Sequence, residues 1–563
     1  MKQLTLSLAV CMVAGWAQQP VISPGGVVSG ASYTTGIGQL TDYYPQTGGG
    51  PTLMSGSIAT IFGSNLAAST LSAQPPLPIK LGGATVSVNG IAAPLFFVSP
   101  TQIDFQVPSM TGVTVGAEAS TVIVVSNADG QSSPYPLPTN GAFGAPGIFT
   151  QDSSGCGRGA VLNVAPDGAV SLNSSTNSAA PGAYISIFGT GNGYVYNSPP
   201  DGEPAPTSPL ASSDGGWTPV FDFSNVTSSG AYWAGRAPGL VGVDQFNLTV
   251  PATVRQGCAV PLQIENENLS VPVTISIAAA AGPCTDPPSQ GYGQALWQKT
   301  VTTSALGMVT ETDTVTLSLE ASPGRQAPVA PVFAEGATTP VSLTYYGSQC
   351  SIPGYRSLDA GAVTAQGPGL KPAATSKVPL TAGTEINLVP PVDANYAEIE
   401  PTQASGITAY QATLPAGAIQ PGAFALSASG GADVAAFQTT VQIGSPIQVV
   451  TALAARVLDE NPLLIQWTGG DANSWVTLKL LSHAGPYDWF HSEWVARASD
   501  GRMTIQALPP PYGFGVAGAV DIVIEVVPDP ATVPAIVAPG LTLGGRALWK
   551  YKYVFQGATT PVF

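Results

Sequence analysis

Ser55-Gly-Ser-Ile-Ala-Thr-Ile-Phe-Gly-Ser-Asn-Leu66 decides how the rest of the chain is read, because it recurs as Pro181-Gly-Ala-Tyr-Ile-Ser-Ile-Phe-Gly-Thr-Gly-Asn192. Each copy opens on a glycine, runs through a short apolar strand and closes on Ile-Phe-Gly, from Gly56 to Gly63 and from Gly182 to Gly189. Downstream, Gln102-Ile-Asp-Phe-Gln-Val-Pro108 returns as Gln245-Phe-Asn-Leu-Thr-Val-Pro251. Self-similarity on this scale implies a duplicated domain, and the alternation inside each copy implies strands.

Working outward, the first copy carries Ala84-Thr-Val-Ser-Val88 followed by Asn89-Gly90 and a return strand from Ala93 to Val98. Asn-Gly between apolar runs predicts a type I′ hairpin, since both central residues need positive φ. In Gln102 to Val107, the side chains of Ile103, Phe105 and Val107 alternate with Asp104 and Gln106, which predicts one buried and one wet face. The second copy repeats this with Phe246, Leu248 and Val250 inside and Asn247 and Thr249 outside. Its insert, Asn197 to Gly216, is rich in Pro, Ser and Asp and reads as a surface loop.

Composition sets the class. Only 9% of the 563 residues are charged, while 65 Gly and 53 Pro punctuate a chain that is 44% hydrophobic. Many short strands joined by tight turns fit that profile, whereas long helices lack the charged straight-chain residues they need. The length calls for about three to five cores. A net charge of −16 makes nucleic acid an unsuitable partner, because phosphate binding needs clustered cations.

The start of the chain reads as an export signal over residues 1–17: Lys2, an apolar run from Leu4 to Val13, and Gly15-Trp16-Ala17 as a small-x-small cleavage site. No later stretch reaches the roughly 18 apolar residues of a membrane-spanning helix. Beyond Cys11, four cysteines remain: Cys156, Cys258, Cys284 and Cys350. Cys258 and Cys284 bracket a predicted hairpin, Pro261 to Ile264 with Val271 to Ile277, and are expected to pair. Cys156 and Cys350 are either a second bridge or two free thiols.

The predicted organisation is all-β. A first repeat covers 18–150 and a second 151–282, with a linker over 283–300. Two further β-sandwich modules follow over 301–445 and 446–563. Turn signals spaced about 8 to 12 residues apart point to sandwiches. The last module ends in Val520-Asp-Ile-Val-Ile-Glu-Val526, with Asp521 and Glu525 expected on the outward face.

The paired Ile-Phe-Gly strands, Val88-Asn-Gly-Ile-Ala-Ala-Pro-Leu-Phe-Phe-Val-Ser-Pro-Thr-Gln-Ile-Asp-Phe-Gln-Val-Pro108 and Ala237-Pro-Gly-Leu-Val-Gly-Val-Asp-Gln-Phe-Asn-Leu-Thr-Val-Pro251 resemble a known exported family. That family carries the "Solibacter uncharacterized C-terminal domain", and the likeness covers residues 25–282. The resemblance implies tandem immunoglobulin-like folds of the IPT/TIG kind and an extracytoplasmic location. It implies no activity. In this chain, unlike the usual arrangement, a long segment follows the domain.

Chemistry-bearing residues are sparse. The two histidines, His483 and His491, lie in Ser482-His-Ala-Gly-Pro-Tyr-Asp-Trp-Phe-His-Ser-Glu-Trp494, whose spacing fits no zinc site. Tyr487, Trp489, Phe490 and Trp494 are the candidate carbohydrate-stacking residues, against the alternative that they pack as core. No Gly-x-Ser-x-Gly elbow is present, and no pair stands out among the 33 Asp and Glu. Asp129, Asp244, Glu265 and Glu267 are expected at sheet ends as solvated carboxylates, since no calcium-loop pattern surrounds them. The expected function is therefore non-catalytic, with no cofactor and no metal. It would be adhesion, surface display or envelope structure through other proteins or polysaccharide at the cell surface, with polysaccharide binding as the alternative.

Overall fold

The computed structural model describes residues 18–33, 53–109, 121–137, 146–213, 217–222, 233–266, 268–324, 356–370, 378–384, 408–455, 462–482, 489–505 and 519–559. The expected export signal, Cys350, His483 and Tyr487 lie outside them. Among the described residues the chain is all-β, with no α-helix.

The first repeat packs two sheets. One orders Val21–Ser29, Ile58–Ser64, Gln102–Gln106, Leu95–Val98 and Leu71–Ser72; the other orders Tyr135–Leu137, Thr121–Asn127, Thr85–Val88 and Ile91–Ala92. Their inner faces meet in a core built on Ile61, Val86, Val88, Leu95, Ile103, Phe105 and Ile123. The Asn-Gly hairpin forms as expected: Val88 pairs with Ile91, and Asn89 and Gly90 have φ of 50° and 81°.

The second repeat builds the matching sheets, with Tyr184–Thr190 paired to Asp244–Thr249 in one and Gly257–Asn266 paired to Val273–Ile277 in the other. The duplicated motif owes its glycines to backbone geometry. Gly56 and Gly182 both have positive φ, 74° and 81°, and donate to the carbonyls of Val107 and Val250 at 2.8 and 2.7 Å. A Cβ on Gly63 would stand 2.1 Å from the Val21 carbonyl oxygen, and one on Gly189 would stand 2.3 Å from that of Gly147. At both closing positions a neighbouring strand's backbone occupies the space of a side chain.

The outer faces repeat as well. Thr60 and Gln102 donate to the Asp104 carboxylate at 2.8 and 2.9 Å. At the equivalent positions Ser186 and Gln245 donate to the Asn247 side-chain oxygen at 2.7 and 2.9 Å. Burial raises the Asp104 carboxyl above its ordinary range, against the lowering effect of those two donors. The second copy keeps the hydrogen bonds and drops the charge.

Beyond residue 288 the structure departs from expectation. Residues 289–300 of the expected linker belong to Ser289–Thr303, a 15-residue strand. It pairs antiparallel with Val309–Pro323 and, on its other side, parallel with Gly545–Thr559. These strands sit inside one thirteen-stranded sheet that also holds Ala519–Val527, Trp475–Ser482 and Gly422–Ala428. A continuous core runs from Ala295 through Leu317, Phe424, Ile465 and Leu478 to Ala558. The division expected between 445 and 446 therefore does not separate two cores. The Gly- and Gln-rich opening, Ser289-Gln-Gly-Tyr-Gly-Gln294, following Pro287-Pro288, concealed the strand, and its parallel partner lies some 250 residues away, beyond the reach of local pattern.

Candidate functional site

Among the described residues, buried polar groups gather at the junction between the repeats, on the large sheet, and inside the second repeat, where enclosed Asn173 and Ser276 are hydrogen-bonded to each other.

At the junction, Arg236 on strand Trp233–Arg236 forms an ion pair with Asp244 on the adjacent strand, and both side chains are buried. Burial pushes the Asp244 carboxyl up, while Arg236 and the Asn192 backbone N–H, which donates at 2.7 Å, pull it down. The other terminal guanidinium nitrogen, Nη2, donates to the Gly193 carbonyl and, across the junction, to the Ser55 carbonyl, both at 2.9 Å. Ser55 begins the first copy of the motif, so this cation fastens the second repeat to the strand entrance of the first.

Other bonds parallel it. The Ile58 N–H donates to Thr190 Oγ1 at 2.8 Å, the Leu77 N–H to the Gly202 carbonyl at 2.9 Å, and the Gly202 N–H to Gln106 Oε1 at 2.6 Å. Two expectations are corrected here. Asp244 is a buried ion-pair member, not a solvated turn carboxylate. Gln106 is 3% exposed, not on a wet face, because Gly202 closes over it. The described residues of the insert, 197–213, are mostly exposed or half-buried, as expected, and Gly202 is where they dock on the first repeat.

The expected disulfide is present: Cys258 and Cys284 are bridged with Cα atoms 5.3 Å apart. Asp286 accepts from the Cys258 N–H at 2.6 Å. Nearby, Arg255 is ion-paired to Asp222 at 2.9 Å. A Cβ on Gly324 would stand 2.8 Å from the Arg255 side chain, so this end of the second repeat lies against the sheet that follows. Cys156 is also disulfide-bonded.

On the large sheet, Leu478, Leu480, Ile524, Val526, Trp549 and Tyr551 point into the core. Alternation sends Lys479, Glu525 and Lys550 to the opposite face. That face is buried too. Glu525 has no exposed surface and lies 3.1 Å from both ammonium groups. Asp521 is 9% exposed. Both carboxylates were expected outward, and the alternation was read correctly; the burial of the second face was not legible in it. The same face buries Trp475, Val495 and Val527, with the Arg497 guanidinium 3.5 Å from the centre of the Trp475 ring.

At one end of the core lies a second ionic group. Lys299 pairs directly across from Asp313 on the neighbouring strand. Its Nζ is 2.6 Å from Glu311 and 3.7 Å from Asp313 Oδ1. Asp313 has no exposed surface, its Oδ2 accepts from the Ile419 N–H at 2.8 Å, and its Oδ1 makes no hydrogen bond. Burial is the main reason that this carboxyl sits above its ordinary range.

Of the four aromatic candidates, Trp494 is partly buried and packs against the core, opposite Leu478. Trp489 and Phe490 lie on the same strand, Trp489–Arg497. Sequence reading missed a more open pair: Tyr194 and Tyr196 are 68% and 52% exposed, with ring centroids 5.5 Å apart in a T-shaped arrangement. The x-Tyr-Val-Tyr-x alternation was the available signal, since the intervening Val195 is buried. Among the described residues no group of three or more His, Cys, Asp or Glu could hold a metal ion. None of their helices is long and apolar enough to cross a membrane.

No family model matches the chain, and no curated protein matches it. Among solved structures, it is 11% identical to Escherichia coli alpha-2-macroglobulin activated by porcine elastase; the match covers 92% of this chain and 44% of that one, with a TM-score of 0.11. It is also 11% identical to a putative phosphatase from Bacteroides thetaiotaomicron, over 70% of this chain and 85% of that one, with a TM-score of 0.12. Scores this low carry no argument about fold or activity.

Proposed function

We propose that the chain is an extracytoplasmic, non-catalytic scaffold that holds interaction surfaces at fixed spacing, in adhesion, surface display or envelope structure. The observation that carries this reading is the Arg236 clamp, a buried cation that pairs with Asp244 and donates into the first repeat. A flexible tether would not need it. Fixed spacing raises the effective concentration of a second contact once the first is made, so weak contacts add up to avidity. The Cys258–Cys284 bridge and the resemblance to an exported family support the location. Leu306, Met308 and Val309 at the tip of the long hairpin are 93%, 64% and 60% exposed and are candidate contacts. The test is cell fractionation with surface protease shaving, followed by binding of the purified full chain to isolated envelope. Surface exposure and saturable envelope binding are expected. A cytosolic protein with Cys258 and Cys284 reduced would end this reading.

The exposed Tyr194–Tyr196 pair favours a second reading, polysaccharide binding, since each ring offers a face for a sugar. On a glycan array, binding should fall at least tenfold in Tyr194→Ala and Tyr196→Ala. Binding unchanged in both variants would remove this site from consideration.

A further inference from the structure

Lys299, Glu311 and Asp313 form a set that differs from an ordinary surface ion pair. The amine and the acid stand directly opposite each other on paired strands, at the end of a closed core. Asp313 is enclosed, its carboxyl is fixed through Oδ2 by the Ile419 N–H, and its other oxygen has no hydrogen bond while facing Lys299 Nζ at 3.7 Å. Glu311, whose side chain is 32% exposed, touches the same Nζ at 2.6 Å and reaches solvent.

We propose that Lys299 and Asp313 are a modification site, at which the two side chains condense to an intramolecular amide cross-link with Glu311 as the proton carrier. Glu311 takes a proton from the Lys299 ammonium, and the freed amine lone pair attacks Asp313 Cγ, forming the C–N bond. The nitrogen then gives up a proton, the acid's hydroxyl receives one, and water leaves as the C–O bond breaks. One amide and one water are produced, with no oxidant, reductant or activated co-reactant. Glu311 ends protonated and returns its proton to solvent.

Two features favour the step here. Attack requires the neutral acid, because a carboxylate is a poor acyl acceptor, and burial shifts Asp313 in that direction. Enclosure also fixes the partners, and intramolecular geometry of this kind supplies effective concentrations up to about 10⁵–10⁸ M, enough to oppose hydrolysis. The other buried group is built differently, with one carboxylate, Glu525, between two ammonium groups, each 3.1 Å away. The cross-link goes beyond the scaffold reading and does not depend on it.

The test is peptide mass spectrometry on the full chain after reduction and trypsin digestion. The expected result is that cleavage fails after Lys299, leaving residues 256–325 as one species lighter by about 18 Da, one water, with fragment ions that join the two strands. Lys299→Arg should restore full mass, and Glu311→Gln should slow cross-linking at least tenfold. Cleavage after Lys299 with both peptides at full mass would overturn the proposal. So would loss of water from the 300–325 peptide with Lys299 still cut, which marks a cyclic imide at Asp313.

Discussion

Replacing Arg236 by Met keeps most of the side chain's volume and removes its charge. The Asp244 carboxyl then has no exposed surface and no ion-pair partner, retaining only the Asn192 N–H at 2.7 Å. Breaking one half of a buried pair costs about 3–5 kcal/mol, most of it from the charge left behind. The carbonyls of Ser55 and Gly193 lose their donor as well. At 1.4 kcal/mol per tenfold change, backbone amides of Asp244–Thr249 should exchange hydrogen about 140- to 3,700-fold faster than in the wild type at pH 7. Burial raises the Asp244 carboxyl above its ordinary 3.8, so stability is lost as pH rises from that value through the folded one. Without Arg236 the folded value moves higher still. The penalty should therefore be near its full size at pH 7 and smaller at pH 4. Adding Asp244→Asn should recover much of it at pH 7. The assay is hydrogen exchange by mass spectrometry, comparing each variant with the wild type at the same pH. Protection within about threefold of the wild type at pH 7 would refute the argument.

Three further outcomes are expected. Asp104→Asn should keep both hydrogen bonds, as Asn247 does, and stabilise the first repeat by up to about 1 kcal/mol at pH 7. Because burial raises Asp104, its ionisation costs stability as pH rises, so the gain should vanish near pH 3; denaturant titrations at both pH values check this. Gly63→Ala and Gly189→Ala each set a Cβ against backbone, 2.1 and 2.3 Å from a carbonyl oxygen, and should cost about 3 kcal/mol or more. Gly168→Ala, which meets nothing within 4 Å but has a φ of 85°, should cost only about 1–2 kcal/mol; thermal melts give the comparison. Cys258→Ser should lower stability by about 3–4 kcal/mol through the loop that the bridge closes, and reducing agent should then have no further effect on that melting step.

The first 282 residues were largely legible because their signals are local. Ile-Phe-Gly is forced by a neighbouring strand's backbone, Asn89-Gly90 by two positive φ values, and the Cys258–Cys284 pair by the hairpin between them. What escaped was set by contacts distant in sequence. Gln106 alternates as a wet residue and is buried only because Gly202 donates to it. Asp521 and Glu525 alternate correctly, yet their face is covered. Arg236 looks like an ordinary surface cation until Ser55, 181 residues earlier, is placed beside it. Of the expected site residues, the cysteines were found by pattern. Of the aromatics, Trp494 packs, partly buried, against the core. Tyr194 and Tyr196 sit between the second Ile-Phe-Gly strand and the insert that begins at Asn197, a stretch to which the sequence reading gave no role.

The parallel pairing of Ser289–Thr303 with Gly545–Thr559 constrains the order in which the molecule can be made. Gly147–Ile148, expected at the end of the first repeat, belongs with the second, where it pairs with Tyr184–Thr190. Counted so, the strand partners of each of the first two repeats lie close in sequence, and each can fold soon after its last strand emerges. The sheet that follows cannot. Its hairpin waits, with one long edge unpaired, until residue 559 is in place, and long-range pairing of this kind is slow. Fragments that stop short of that strand should aggregate while the first two repeats alone stay in solution.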